Sequence, residues 1–98
     1  MPRYDVYSNP GGGYVLDVQA DLLDDLKTRI VIPLIVKALA PIPAKRLNPG
    51  FEIEGEEYVL VTQFMAAIPV SALKNPVTNL SDSHDEIVSA LDMAFHGY

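Results

Sequence analysis

The chain has 98 residues, 49% of them hydrophobic and 20% charged, which excludes a disordered chain and predicts one packed domain spanning 1–98. The thirteen carboxylates outnumber the seven lysines and arginines, for a net charge of −6, so phosphate backbones are repelled at long range and direct DNA binding is disfavoured. Cysteine is absent, which rules out disulfides and thiolate metal sites and fits a reducing cytoplasm.

Residues 1–8 alternate around Tyr4 and Val6 and predict an edge-like first strand. Asn9-Pro10-Gly11-Gly12-Gly13 is a turn, and Tyr14 to Gln19 reads as the returning strand, with Tyr14, Leu16 and Val18 on one face. Ala20 to Leu26 is open between a short helical turn and a surface loop. Arg29 to Leu34 is β-branched and unbroken, which predicts a central strand, with Pro33 marking its end or a bulge. Ala40 to Arg46 is stiff and extended because of Pro41 and Pro43. Phe51 to Glu54, Gly55 and Tyr58 to Thr62 predict a hairpin, and Met65 to Val70 a further strand. Residues 75–82 lead irregularly into a last element.

That element is a helix. Ser83 with Glu86 has capping-box spacing, Ile87, Leu91 and Phe95 recur every four residues, and Gly97 supplies a stop. Burying Ile87 and Leu91 contributes about 1.5–3 kcal/mol each before entropy is subtracted. Strands followed by one helix give an α+β fold, mainly antiparallel β, in a small barrel-like sheet. The expected core includes Val18, Val31, Ile32, Leu60 and Ile68. No N-terminal segment resembles a signal peptide, and the longest apolar run, residues 30–40, is interrupted by Pro33 and Lys37, so no membrane association is expected.

Few residues point to chemistry. His84 in the first helical turn reads as solvent-facing. Asp92 and His96 have i, i+4 spacing, but no third ligand is evident, so neither metal nor cofactor is expected. Asp21, Asp24 and Asp25 match no calcium loop and read as a solvated acidic loop. The serines lack a glycine elbow, and Gly11 to Gly13 lacks the lysine and helix of a phosphate loop. What stands out is surface apolarity: Leu22 and Leu23 are adjacent, and Phe95, His96 and Tyr98 cluster at the chain end, as interaction surfaces do.

Four stretches in order, Leu16-Asp17-Val18-Gln19-Ala20-Asp21-Leu22-Leu23, Thr28-Arg29-Ile30-Val31-Ile32-Pro33-Leu34, Thr62-Gln63-Phe64-Met65-Ala66-Ala67-Ile68-Pro69-Val70 and the helix ending Phe95-His96-Gly97-Tyr98, resemble the CcdB family of toxins. The resemblance implies an SH3-like barrel with a C-terminal helix, assembled as a homodimer. It implies a non-enzymatic toxin that binds the A subunit of DNA gyrase and traps the gyrase on cleaved DNA. A CcdA-like antitoxin neutralises such a toxin, and the two together repress their own operon, as in plasmid maintenance. Carried over by position, the gyrase-binding residues are Leu22, Leu23, Asp92, Phe95, His96, Gly97 and Tyr98. The chain departs from the family's usual Trp-Gly-Ile ending, and Asp92 stands where asparagine is usual. Two alternatives stay open. One is a non-toxic homologue that keeps antitoxin binding. The other is a MazF/Kid-like endoribonuclease, although Arg29 and Arg46 show no catalytic partner in the sequence.

Overall fold

The structure, a computed structural model, describes residues 2–97. Among them are strands β1 (Asp5–Ser8), β2 (Tyr14–Asp17), β3 (Thr28–Val36), β4 (Gly50–Ile53), β5 (Glu56–Leu60), β6 (Ala66–Pro69) and β7 (Thr78–Asn79), followed by helix α1 (His84–His96). All strand pairings are antiparallel, in the order β4-β5-β3-β2-β1-β7 with β6 also on β3. The result is an α+β fold, a nearly closed antiparallel barrel with a single helix at the end.

β3 is the hub. Its first half, Thr28 to Val31, pairs with β6, and its last three residues pair with β5. Pro33 lies inside the strand, not at its end, because it falls in the gap between those two partners. A missing N–H costs no ladder bond there, and the Pro33 carbonyl still accepts from the Val61 amide at 2.9 Å. β1 also differs from expectation. It is flanked on both sides, since the two-residue β7 pairs Asn79 with Asp5 and Thr78 with Val6.

Alternation sorts the side chains into two layers. Val6, Leu16, Ile32 and Leu34 face inward with Tyr4, Val18, Phe51, Ile53 and Leu60, and Ile87 of α1 closes this core. On the opposite face Tyr7, Val15 and Val31 pack under Leu73, with Ile68 partly buried against them. The turns follow glycine chemistry where it matters. Gly13 has φ +71, and a Cβ there would lie 2.5 Å from the Leu34 carbonyl oxygen. Glu54 and Gly55, both at positive φ, make the two-residue turn between β4 and β5 that suits a twisted hairpin.

The helix runs His84–His96 and stops at Gly97, which takes the left-handed conformation at φ 77 while its amide bonds the Met93 carbonyl. Its start differs from the expected capping box. Ser83 ends a 3-10 turn, Ser81–Ser83, at φ −104 and ψ 23, and its side chain makes no cap hydrogen bond. No helix among the described residues is long and apolar enough to cross a membrane.

Candidate functional site

The outward layer of β1, β2 and β3 carries polar groups that an apolar strand pattern hides. Arg29 has no exposed surface, nor does Asp17, and the guanidinium grips that carboxylate with both arms: Nε to Oδ2 at 2.8 Å and Nη2 to Oδ1 at 3.0 Å. The third nitrogen, Nη1, donates to Asp24 Oδ1 at 2.9 Å, and the Asp24 side chain is half exposed. Asp17 also accepts the Gln19 amide at 3.0 Å. Beside them the Tyr7 hydroxyl donates to Asp5, whose other oxygen accepts from Asn79.

The electrostatics follow from this geometry. Burial opposes charge on Arg29, but the hydrogen bonds and charge of Asp17, then Asp24, outweigh it and its pKa rises, so it remains a cation. Burial pushes the Asp17 carboxyl up, and Arg29 pulls it back, so the two form an ion pair of limited net value. Burial, then the Asp5 and Asp17 charges, push the Tyr7 phenol up to about 12 from 10.0. Between those values the folded protein keeps a proton that an unfolded chain has lost. Stability is therefore expected to fall as pH rises through that window, read as a falling urea midpoint that a Tyr7→Phe variant does not share.

The network opens onto a cleft of about 530 Å³ lined by Asp24, Leu26, Lys27, Pro69, Val70 and Ser71. Asp24 is preceded by a 3-10 turn, Asp21–Leu23, with no buried residue. Of the three aspartates read as solvated, two are engaged: Asp21 accepts the Arg3 amide at 2.9 Å, and Asp24 holds Arg29. His84 is also engaged, its Nδ1 2.6 Å from the hydroxyl of Tyr4, the residue just before β1, which ties the helix start to the chain entering the sheet.

The residues carried over from the family resemblance fall in two places. Leu22, 98% exposed, and Leu23 lie in the exposed 3-10 turn that precedes Asp24. Asp92, Phe95 and His96 lie on the last turns of α1, Gly97 is its cap, and Tyr98 is outside the described residues. Phe95 is 66% exposed and borders a separate groove with Leu47, Gln63, Met65 and Met93. The helix start lies next to Tyr4, through His84, while Phe95 is about 16 Å further along the axis. Among the described residues no group of three or more His, Cys, Asp or Glu is placed to hold a metal.

Sequence reasoning missed Asp17, Gln19 and Tyr7 and found no partner for Arg29. One signal was present: a single aspartate in β2 and a single arginine in β3, each sharing a strand face with a valine two residues away, Val15 and Val31. Paired strands bring such residues to one face.

Solved structures share this fold from end to end. An endoribonuclease in complex with its cognate antitoxin, from a mycobacterial species, superposes with a TM-score of 0.75 at 15% identity, over 96% of this chain and 94% of that one. A crystal structure of an Mtb toxin gives 0.74 at 16% identity, over 93% and 99%. The Mycobacterium tuberculosis toxin MazF-mt6 gives 0.69 at 15%, over 96% of each chain. The fold is thus that of barrel-and-helix toxins. The family model described as CcdB protein matches residues 3–97, and the chain belongs to that family.

These structures overturn the activity that the resemblance implied. Proteins superposing on nearly the whole chain are described as an endoribonuclease and as a MazF toxin, not as gyrase-binding toxins. The A subunit of DNA gyrase as target, a CcdA-like antitoxin specifically as partner, and a toxin without enzymatic activity are corrected accordingly. The physical reason is that barrel and helix are common to different toxin activities, so stretches conforming to the fold do not specify the target.

Proposed function

We propose that this protein is the toxin of a toxin–antitoxin pair, acts in the cytoplasm as an endoribonuclease, and is neutralised by a cognate antitoxin. The observation that carries this reading is the superposition over 96% of the chain on an endoribonuclease bound to its antitoxin. A chemical fit supports it. When an RNA strand is cut by its own 2′-hydroxyl, negative charge builds on the phosphorus-bound oxygens, and fixed cations beside them lower the barrier. Lys27 lines the cleft, and Arg29 stands directly behind Asp24 on its wall. The −6 overall charge slows RNA encounter at long range but does not remove these local cations.

The test is incubation of the purified full chain with a single-stranded RNA oligonucleotide, followed by product analysis. Cleavage is expected for RNA and not for DNA of the same sequence, which lacks the attacking hydroxyl. Lys27→Ala is expected to slow it about tenfold or more. RNA left intact by correctly folded protein overturns the reading.

A further inference from the structure

Strand β4 ends the sheet: β5 pairs with one of its edges, and among the described residues no strand pairs with the other. The Pro49 carbonyl accepts the Leu60 amide at 2.9 Å, and ladder bonds between antiparallel strands fall at alternate residues. Phe51 and Ile53 therefore bond β5, while the amides and carbonyls of Gly50 and Glu52 point to the open side. Both residues are exposed, and a groove of about 400 Å³ is lined by Gly50, Phe51 and Glu52 with Gly55 and Glu57. β6 also pairs on one side only, but its outward positions include Pro69, which has no donor to offer.

The β4–β5 hairpin carries four of the chain's thirteen carboxylates, Glu52, Glu54, Glu56 and Glu57, and no lysine or arginine. Glu52 and Glu57 stand directly opposite each other across the ladder. Like charges so placed destabilise a sheet, and a single charge is enough to discourage pairing between the edges of two copies. Lys37 offsets part of this cost, its Nζ 3.4 Å from Glu57 Oε2, in a contact open to solvent on both sides. Glu57 also reaches over β4: a Cβ at Gly50 would lie 3.2 Å from its Oε1, so the glycine leaves that carboxylate room on the strand with the open edge.

We infer that the open edge of β4 takes an extended, basic segment of another protein, which adds as a further strand with lysine or arginine at alternate positions over Glu52 and Glu57. In such an addition the main-chain bonds, here to Gly50 and Glu52, supply the affinity, and the alternate side chains choose the partner. A basic strand turns the repulsion between Glu52 and Glu57 into attraction, whereas a second copy of this chain brings glutamates against glutamates. The net charge of −6 steers a cationic segment in and repels anionic ones. The inference rests on the toxin–antitoxin reading only for which protein supplies the segment, the antitoxin, and its test requires no cleavage.

The experiment titrates the full chain with a short synthetic peptide alternating lysine and valine and follows amide hydrogen exchange by NMR. At saturation the Gly50 and Glu52 amides are expected to exchange at least about tenfold more slowly, with exposed amides elsewhere unchanged. Two control peptides separate the causes. One carries glutamate for lysine and is expected not to bind; the other is N-methylated along its backbone, which keeps the charge, removes the donors and is expected to give no protection. Glu52→Gln is expected to weaken the lysine peptide about twofold to fivefold, as a cross-strand charge pair does. Asp82→Asn, which removes an exposed charge before α1, is expected to change it by less than about twofold. No binding, binding without slowed exchange at Gly50 and Glu52, equal binding by the N-methylated peptide, or equal loss in both variants overturns the proposal. Slowed exchange that rises with protein concentration and needs no peptide assigns the edge to a second copy, with the same result. RNA is then given to the peptide-free protein. Slowed exchange on peptide binding with no cleavage supports the added strand and removes the ribonuclease reading, and cleavage with no slowed exchange does the opposite.

Discussion

Replacing Arg29 with methionine is expected to cost about 3–5 kcal/mol, because it strands the Asp17 carboxylate in a site with no exposed surface. Domains of this size have about 5–15 kcal/mol in total, so the variant should be mostly unfolded at modest urea. The partner substitution separates packing from charge. Asp17→Leu combined with Arg29→Met removes both charges and should recover most of the loss, since a buried pair replaced by apolar groups is near neutral. Urea unfolding of the single and double variants decides it. A single variant within about 1 kcal/mol of wild type would mean that water reaches Asp17 in a way its zero exposure does not allow.

The second large effect is at the other end of the fold. Ile87 is fully buried in the main core and docks α1 on the barrel. Ile87→Ala should cost about 2–5 kcal/mol through lost contacts and the cavity left behind. Phe95→Ala, on the same helical stripe but 66% exposed, should change stability by about 0.5 kcal/mol or less. Thermal or urea unfolding of both variants tests whether the stripe is divided as described. Equal losses would place Phe95 in a buried environment that the chain does not give it.

The helix and hairpins were legible in the residues because each has a local cause. A four-residue apolar repeat ending in Gly97 fixes α1, and Gly55 and Gly13 sit where positive φ is needed. Features set by distant residues were not legible. β7 is two residues long and exists because β1 offers an edge to Thr78 and Asn79. Pro33 reads as a strand end until the split pairing of β3 is known. Ser83 has capping chemistry but arrives through a 3-10 turn at the wrong angle.

The candidate site was less legible than the fold. Asp17 and Arg29 are twelve positions apart and each looks like an ordinary surface charge. They share the outer face with Tyr7, Val15 and Val31, which pack with Leu73 from far along the chain, and neither strand foreshadows that cover. Tyr4 and His84 meet across eighty positions, which local reading cannot anticipate. The exposed leucines and Phe95 were expected at the surface and are there, but exposure alone names no partner.

The split pairing of β3 also constrains how the molecule comes into being. A strand that must receive β2 on one side and both β5 and β6 on the other cannot be completed until residue 69 has left the ribosome, and Ile87 seals the interior only after that. Assembly is therefore late and governed by contacts far apart in sequence, which places spontaneous refolding in the millisecond-to-second range rather than microseconds. A nascent chain halted before β6 holds an uncovered β3 edge, the part of this protein most in need of a chaperone.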